Sequence, residues 1–476
     1  MRESERPIRT LLLTALTTLL MLGLSMVDST VFLGVKTRKT DILSDIRIKQ
    51  KRKVPNLNAI PDVKIAEKQD TEPDFVPRVL PDIDARDVYR IEDFSGDGGG
   101  GLKPFFSALS GLKGTEKVRV AWFGDSTIEG DLISQDVRRN LQDIFGGSGI
   151  GFVPITSSVS KFRASVLHNF SENWQTYSIR NQNPYRFPIG ISGYLFVPAR
   201  GRYEAGDAPS GHTQSWVEYG VPDKSAPFNV VRMFYGFLNG EAVLHVNFGD
   251  DRFQDVRLGN CEGIQEIDLT GGMTRRAKVF FSTNAPLAIY GAFVESDNGG
   301  VYVDNFSFRG SSGTNLNQIP DAVWKTFNSH LNYRLIILQY GANIADPEMR
   351  SFGWYEKGLT QVLTRLRNLF PDTGILVISA PDKSVHVDME YQTNPAIPLI
   401  IRAQRNAAKN AGVAFWNLYE AMGGENSMPV WVERKLAAPD YTHLSGSGAR
   451  EVARRITKAM LYEYKPYTGK KPTAKP

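Results

Sequence analysis

The sequence predicts an α/β fold. It is a three-layer α/β/α parallel sheet, interrupted by an inserted β-sandwich and preceded by an N-terminal membrane helix. Three observations carry this expectation. Apolar runs alternate with amphipathic helical patterns on both sides of the middle of the chain, as parallel strand–helix–strand units require. Between them lie short alternating runs rich in Tyr, Phe, Val, Gly and Pro, with almost no helical period. Near the N-terminus, residues 10–27 (TLLLTALTTLLMLGLSMV) carry no charge.

Taken in order, Arg2, Arg6 and Arg9 precede that uncharged run. Eighteen residues in a helix reach about 27 Å, enough to cross a bilayer core. No small-residue cleavage site follows and no lipidation cysteine lies nearby, so residues 1–35 read as an uncleaved signal anchor. Residues 36–101 mix charges with Pro55, Pro61, Pro73, Pro77 and Pro81 and end in a glycine run, the composition of a disordered linker. Residues 102–158 and 301–465 form the α/β body. It opens with a short helix over 103–112 and a buried strand over 118–123 that ends at Gly124-Asp125-Ser126. A helical pattern on Ile128, Leu132, Val137, Leu141 and Ile144 follows. After the insert, strands over 301–308, 335–340, 375–380 and 414–418 alternate with helices over 354–370, 397–411 and 447–462. Residues 159–300 form the inserted β-sandwich, and 466–476 a basic tail.

At 476 residues the chain exceeds one ordinary domain, and with 41% hydrophobic and 22% charged residues it is globular. One cysteine, Cys261, excludes a disulfide framework and any cysteine-built zinc or iron–sulfur site. His168, His212, His245, His330 and His386 show no paired metal spacing, so neither metal nor cofactor is expected. The net charge of +5 comes from the ends. Eight bases from Lys36 to Lys53 face only Asp41 and Asp45, and Lys465, Lys470, Lys471 and Lys475 lie in the last twelve residues. The body is therefore acidic, which argues against nucleic acid as a partner. The bases at 36–53 outnumber the three arginines before the anchor, which by itself would keep the body inside the cell. The expectation of a body on the periplasmic side rests instead on the cell-envelope substrate implied by the resemblance of the strand-end motifs to a known family.

Parallel sheets build their sites at those strand ends. Ser126 follows the first strand. Asp440 precedes His443 by three residues, a spacing that lets one turn carry a carboxylate and the imidazole it orients. Gly310 and Gly341-Ala342-Asn343 follow two more strands and offer close N–H approach and an amide donor for an oxyanion. Each residue has a plainer alternative: Ser126 as a helix N-cap, Asn343 as a turn residue, Asp440 as a solvated loop acid. Asp382, also after a strand, reads as cleft wall or loop surface. Trp174, Tyr177, Tyr194, Trp216 and Tyr219 offer either a sugar-stacking platform or sandwich core.

Phe123-Gly124-Asp125-Ser126, Gly310, Gly341-x-Asn343 and Asp440-x-x-His443 resemble the four blocks of SGNH (GDSL-type) hydrolases, over about 116–158 and 301–465. The resemblance implies a flavodoxin-like sheet order and a triad with Ser126 as nucleophile, His443 as general base and acid, and Asp440 as its orienting carboxylate. It also implies an oxyanion hole from the Ser126 and Gly310 N–H groups and the Asn343 side chain. Gly124-Asp125-Ser126-Thr127-Ile128-Glu129, with Gly149-Ile150-Gly151-Phe152-Val153-Pro154 and a sandwich insert, looks like bacterial peptidoglycan O-acetyl esterases, whose insert resembles a carbohydrate-binding module. Thr127 stands where that group commonly has histidine, and the third block reads GAN where GTN is commoner. The expectation is an inner-membrane, single-pass carboxylic ester hydrolase with a periplasmic body. It would remove O-acetyl or other short acyl groups from an acylated cell-envelope polysaccharide. A polysaccharide O-acyltransferase with the same triad and a non-catalytic, membrane-tethered glycan-binding protein are the alternatives.

Overall fold

The computed structural model describes residues 81, 83–84, 86, 88–96, 101–201, 214–223, 225–250 and 252–468, and two short strands upstream. Those two, Val31–Phe32 and Val35–Lys36, pair antiparallel. The expected membrane segment 10–27, most of the expected linker, and the tail beyond 468 lie outside the described residues. Among the described residues no helix is long and apolar enough to cross a membrane.

The body is built on a six-stranded sheet. Its strands are β1 (Glu92–Asp93), β2 (Lys117–Gly124), β3 (Gly300–Ser307), β4 (Tyr333–Gln339), β5 (Gly374–Ile378) and β6 (Ala414–Trp416). They lie in the order β3-β2-β4-β5-β6-β1. The first five run parallel, and β1 joins β6 antiparallel at the edge. β2 is buried at seven of its eight positions, which is why it reads as a continuous apolar run rather than an alternating one.

Eight α-helices are present among the described residues: α1 (Lys103–Gly111), α2 (Ser134–Phe145), α3 (Asp321–Leu331), α4 (Gly353–Leu369), α5 (Ala396–Ala411), α6 (Leu418–Met422), α7 (Ser427–Glu433) and α8 (Gly446–Tyr464). Helices α1, α2 and α8 bury Phe105, Phe106, Val137, Leu141, Val452 and Ile456 on one face of the sheet. Helices α3, α4 and α5 cover the other face, where Leu359, Val362, Leu363 and Leu366 form the stripe whose spacing predicted α4. This is the three-layer arrangement. Helices α3, α6 and α7 carried no sequence-level assignment.

The intervening chain folds as two antiparallel sheets face to face. One has the strand order Cys261–Thr274, Phe228–Leu238, Ala288–Glu295, Tyr194–Val197, Gln175–Ser178. The other has the order Gln254–Leu258, Ala242–Asn247, Arg276–Thr283, Ser215–Gly220, Leu167–Phe170. Trp174 and Tyr219 are buried in the core between them. Tyr177 and Tyr194 belong to the first sheet and Trp216 to the second, so the five aromatics form no common platform.

Three expected boundaries need correction. Described residues of the linker expected to run to 101 belong to the body: Ile83 and Ile91 are buried in the core beneath α1 and α8, and Glu92–Asp93 extends the sheet. Their scatter among charged residues hid them. The insert starts before 159, because Gly149–Val153 already pairs antiparallel with Ala288–Glu295. Its apolar run looked like another strand of the body. The first residues of the expected tail belong to the body: Tyr467 packs on Phe106 with ring centroids 5.3 Å apart.

Insert and body share an apolar and an ionic junction. Phe234 of the insert stacks on Phe327 of α3 at 4.5 Å. Beside it, buried Glu295 accepts from Arg119 Nη2 at 2.6 and 2.5 Å and from Lys117 Nζ at 2.7 Å. Burial pushes the Glu295 carboxyl up, but Arg119 and Lys117 outweigh it and hold it below the ordinary value. Replacing Glu295 with Gln leaves two cations facing a neutral amide in a dry junction. That change should cost about 3–5 kcal/mol in urea unfolding; a loss below about 1 kcal/mol would show that the junction is not held by this carboxylate.

Candidate active site

Three of the parallel strands end level with one another. Gly124 pairs with Ser307 on one side and Gln339 on the other, and Phe308 N–H donates to the Gly124 carbonyl at 2.8 Å. The chain after each strand therefore emerges on the same edge: Asp125 and Ser126 after β2, Phe308 to Gly310 after β3, Gly341 to Asn343 after β4. A Cβ on Gly124 would stand 2.9 Å from the Gln339 carbonyl and 2.8 Å from Ile128, so only glycine lets the turn close.

Ser126 does not cap a helix. The helix expected from Ile128 begins only at Ser134, after Gly130 (φ 71°), Asp131 (φ 65°) and Ile133 (φ 65°) turn the chain. This loop is pinned from below. Buried Asp131 pairs with Arg138 of α2 and, at 3.3 Å, with Arg163 of the insert. Burial raises the Asp131 carboxyl, but the two guanidiniums hold it below its ordinary value.

At the far end of the chain, α7 and α8 flank a loop closed by Ala438 N–H on the His443 carbonyl at 2.8 Å. Its two titratable groups face Ser126. His443 Nε2 lies 3.2 Å from Ser126 Oγ, and His443 Nδ1 lies 2.7 Å from Asp440 Oδ2. The other Asp440 oxygen accepts the backbone N–H groups of Thr442 and His443, each at 3.0 Å. Partial burial raises the Asp440 carboxyl, and these hydrogen bonds outweigh it and keep it lower than usual. The pair is open to solvent, with His443 47% and Asp440 50% exposed. A hydroxyl, an imidazole and a carboxylate thus stand in series, the arrangement that removes a serine proton during attack on a carbonyl.

The expected oxyanion donors are placed unequally. Among the described residues no protein group accepts from the backbone N–H of Ser126 or Gly310. Asn343 is brought to the site, but its Nδ2 donates to Asp125 Oδ2 at 2.9 Å and to the Ser311 carbonyl at 3.1 Å. To reach an oxyanion it must share or exchange one of these bonds. Asp125 is fully buried, its carboxyl raised by desolvation, and its other oxygen accepts Thr127 N–H at 2.9 Å. It ties the serine turn to the asparagine turn. The latter is braced by buried Gln404 of α5, which donates to the Tyr340 carbonyl at 2.7 Å and accepts from Ala380 N–H at 2.9 Å.

Asp382 is neither cleft wall nor loop surface. It is buried, and it accepts from Met428 N–H (2.7 Å), Thr393 Oγ1 (2.9 Å) and Ser427 Oγ (3.2 Å). These bonds root an unanticipated hairpin, Ser384–Val387 with Glu390–Thr393, onto α7. The hairpin grips the histidine loop. Ser384 N–H donates to the Tyr441 carbonyl at 3.0 Å, and the Tyr391 ring stacks on Tyr441 with centroids 3.5 Å apart and planes 8° from parallel. Tyr441 has φ 54°, a strained value for a residue between the acid and the base. No periodicity in the sequence signals this contact, because the two tyrosines meet only in the folded chain.

A second hydroxyl–imidazole–carboxylate series occurs in the insert. His245 Nε2 lies 3.0 Å from Ser282 Oγ and Nδ1 lies 2.7 Å from Asp255. Ser282 is buried and also accepts from Gln214 at 2.5 Å, so this series satisfies polar groups in the sheet rather than presenting a nucleophile. Among the described residues no group of three or more potential ligands is placed to hold a metal ion.

No protein-family model matches the sequence, and no curated protein matches it either. Among solved structures, a peptidoglycan O-acetylesterase aligns with a TM-score of 0.65 and 24% identity, over 79% of this chain and 99% of its own. The chain shares the fold of that esterase. An acetyl xylan esterase aligns over 33% of this chain and 81% of its own, at 14% identity and a TM-score of 0.26. A family two carbohydrate esterase from Clostridium thermocellum aligns over 63% and 99%, at 9% identity and a TM-score of 0.25. At such scores these two likenesses carry no weight for the activity. The first alignment spans the sandwich as well as the α/β body, as its coverage of both chains requires.

Because the hairpin holds the loop that carries His443, Tyr391→Ala should lower the rate of covalent labelling of Ser126 by a fluorophosphonate about tenfold, a loss of roughly 1.4 kcal/mol in positioning. Tyr391→Phe should retain the rate, since the stack needs the ring and not the hydroxyl. An unchanged labelling rate in Tyr391→Ala would remove the hairpin from the site.

Proposed function

We propose that the protein is a serine esterase that removes O-acetyl or similar short acyl groups from a cell-envelope polysaccharide such as peptidoglycan. The observation that carries this reading is the unbroken series Ser126 Oγ, His443 and Asp440, at 3.2 and 2.7 Å, beside two backbone N–H groups with no partner among the described residues. The shared fold of the solved peptidoglycan O-acetylesterase supports the choice of substrate class.

The reaction follows from the geometry. Ser126 Oγ attacks the ester carbonyl while His443 Nε2 takes its proton. Asp440, kept ionised, fixes the imidazole with Nδ1–H toward itself, so that Nε2 is the free acceptor. Negative charge grows on the carbonyl oxygen, where the Ser126 and Gly310 N–H groups can receive it and Asn343 can add a third donor. Each such donor contributes about 2.7–4 kcal/mol to the transition state. His443 then returns the proton to the departing sugar oxygen. Water, activated by the same imidazole, releases the acid and restores Ser126. The half-exposed triad suits an acyl group carried on a polymer too large to enter a closed pocket.

The direct test is acetate release from O-acetylated glycans, peptidoglycan included, by the full chain. Ser126→Ala should abolish release and fluorophosphonate labelling while unfolding as the wild type does, and Asn343→Ala should lower kcat by about 10²–10³ if its amide reaches the oxyanion. Near-wild-type turnover in Ser126→Ala would end the assignment.

The acid limb of the pH profile provides a separate check. Asp440 is held lower than usual, so its charge is lost only as the pH falls through that lowered value, below the ordinary carboxylate range near 3.9. Asp440 should therefore add no ionisation of its own to kcat/KM for a small acetyl ester between about pH 4 and 8. A carboxylate ionisation lost in Asp440→Asn but present in the wild type over that range would show that Asp440 is not held low.

A further inference from the structure

The insert reaches the Gly310 turn with a guanidinium, that of Arg180. Arg180 follows the insert strand Gln175–Ser178 in a turn locked by four contacts. Ser178 N–H and Oγ both donate to Asn181 Oδ1 at 2.8 Å, Asn181 N–H donates to the Ser178 carbonyl at 3.1 Å, and Ile179 N–H donates to the Gly193 carbonyl at 3.0 Å. From this turn the guanidinium lies 4.9 Å from the centroid of the Phe308 ring. Its Nη2 donates to the Arg309 carbonyl at 2.8 Å. A Cβ on Gly310, whose φ is 70°, would stand 3.0 Å from that same Nη2. The neighbouring Arg309 side chain is tied the other way, to Glu129 on the serine loop.

The carbonyl that Arg180 holds and the Gly310 N–H belong to one peptide unit. A charged donor on the carbonyl draws electron density from the nitrogen and strengthens the N–H as a donor, as hydrogen bonds in series do. It also fixes the plane of the peptide, and so the direction in which that N–H points. We infer that Arg180 is a positioning residue for the esterase reaction: the insert, through this guanidinium, orients and polarises the Arg309–Gly310 peptide that receives the oxyanion. This rests on the esterase reading for its chemical consequence. It gives the insert a part in turnover that is separate from any grip on the polymer.

The two parts are separated with a substrate that has no polymer. On p-nitrophenyl acetate, Arg180→Ala and Arg180→Met should each lower kcat about tenfold with KM nearly unchanged, short of the roughly hundredfold or greater loss expected when an oxyanion donor is removed outright. Arg180→Lys, which keeps a charged donor, should recover part of the loss. The Met variant preserves the apolar stem over Phe308, so it remains informative if the Ala variant fails to fold. An unchanged kcat on the small ester would overturn the inference. So would a defect confined to KM on acetylated polymer, since Arg180 would then be only a charge that touches substrate.

A second readout does not depend on turnover. Labelling arginine carbonyl carbon and glycine nitrogen selects Arg–Gly peptides, and the sequence has two, Arg200–Gly201 and Arg309–Gly310. The Gly310 amide nitrogen should move upfield in Arg180→Met while Gly201 stays in place. If the wild type cleaves no acetyl ester and takes no fluorophosphonate, the esterase reading fails. The Gly310 resonance then still decides whether the hydrogen bond exists, and an unmoved resonance shows that it does not.

Discussion

The site depends on one constraint, the level ending of three parallel strands around Gly124. With Ser307 on one side and Gln339 on the other, the chain after each strand has nowhere to go but the same edge. Ser126, Gly310 and Asn343 are thereby brought together from positions up to about two hundred residues apart in sequence. Glycine at 124 is the condition for it, because any side chain there would strike the neighbouring strand. Ser126 itself then needs no special local strain; the odd backbone angles fall on Asp131 and Ile133, further along the loop.

Two buried ion clusters tie the insert to the sheet and the serine loop. Arg119, Lys117 and Glu295 lie where the insert returns to the sheet, and Asp131, Arg138 and Arg163 lie beneath the serine loop. Burying charges is expensive, and apolar packing would supply equal or greater stability. What charge pairs add is direction: a guanidinium fits its carboxylate in few orientations, whereas Phe234 can slide on Phe327. In both clusters one partner comes from the insert, so the sandwich is oriented against the sheet by contacts of defined geometry.

Much of this was readable in the chain beforehand, for a physical reason. Strands buried on both faces are written as unbroken apolar runs, and amphipathic helices such as α4 declare their period. The residues placed in series at the edge were visible because each one follows such a run or opens such a helix. What stayed hidden arises from contacts between distant segments. Arg180 is one basic residue among many in an aromatic-rich stretch, and only its turn and its hydrogen bond to the Arg309 carbonyl single it out. Tyr391 sits on a short hairpin whose pairing depends on the buried carboxylate of Asp382. The edge strand at Glu92–Asp93 escaped because two residues carry no period. Asn343 was expected to point into the site, and its neighbours Asp125 and Ser311 engage its amide instead.

The position of the insert, between β2 and β3, bears on how the molecule assembles during synthesis. β2 is an interior strand, flanked by β3 and β4, yet both of these neighbours are made after the sandwich. At translation speeds of about 5–20 residues per second, this apolar strand waits roughly ten seconds or longer for a partner. During that time the sandwich can collapse on its own core and bring its two ends together, turning a very long loop into a short closed one. A nascent chain with a damaged sandwich would hold this unpaired interior strand in the open, where aggregation competes with folding. Sequence changes far from the edge that carries Ser126 then reduce the yield of native protein without altering the molecules that mature.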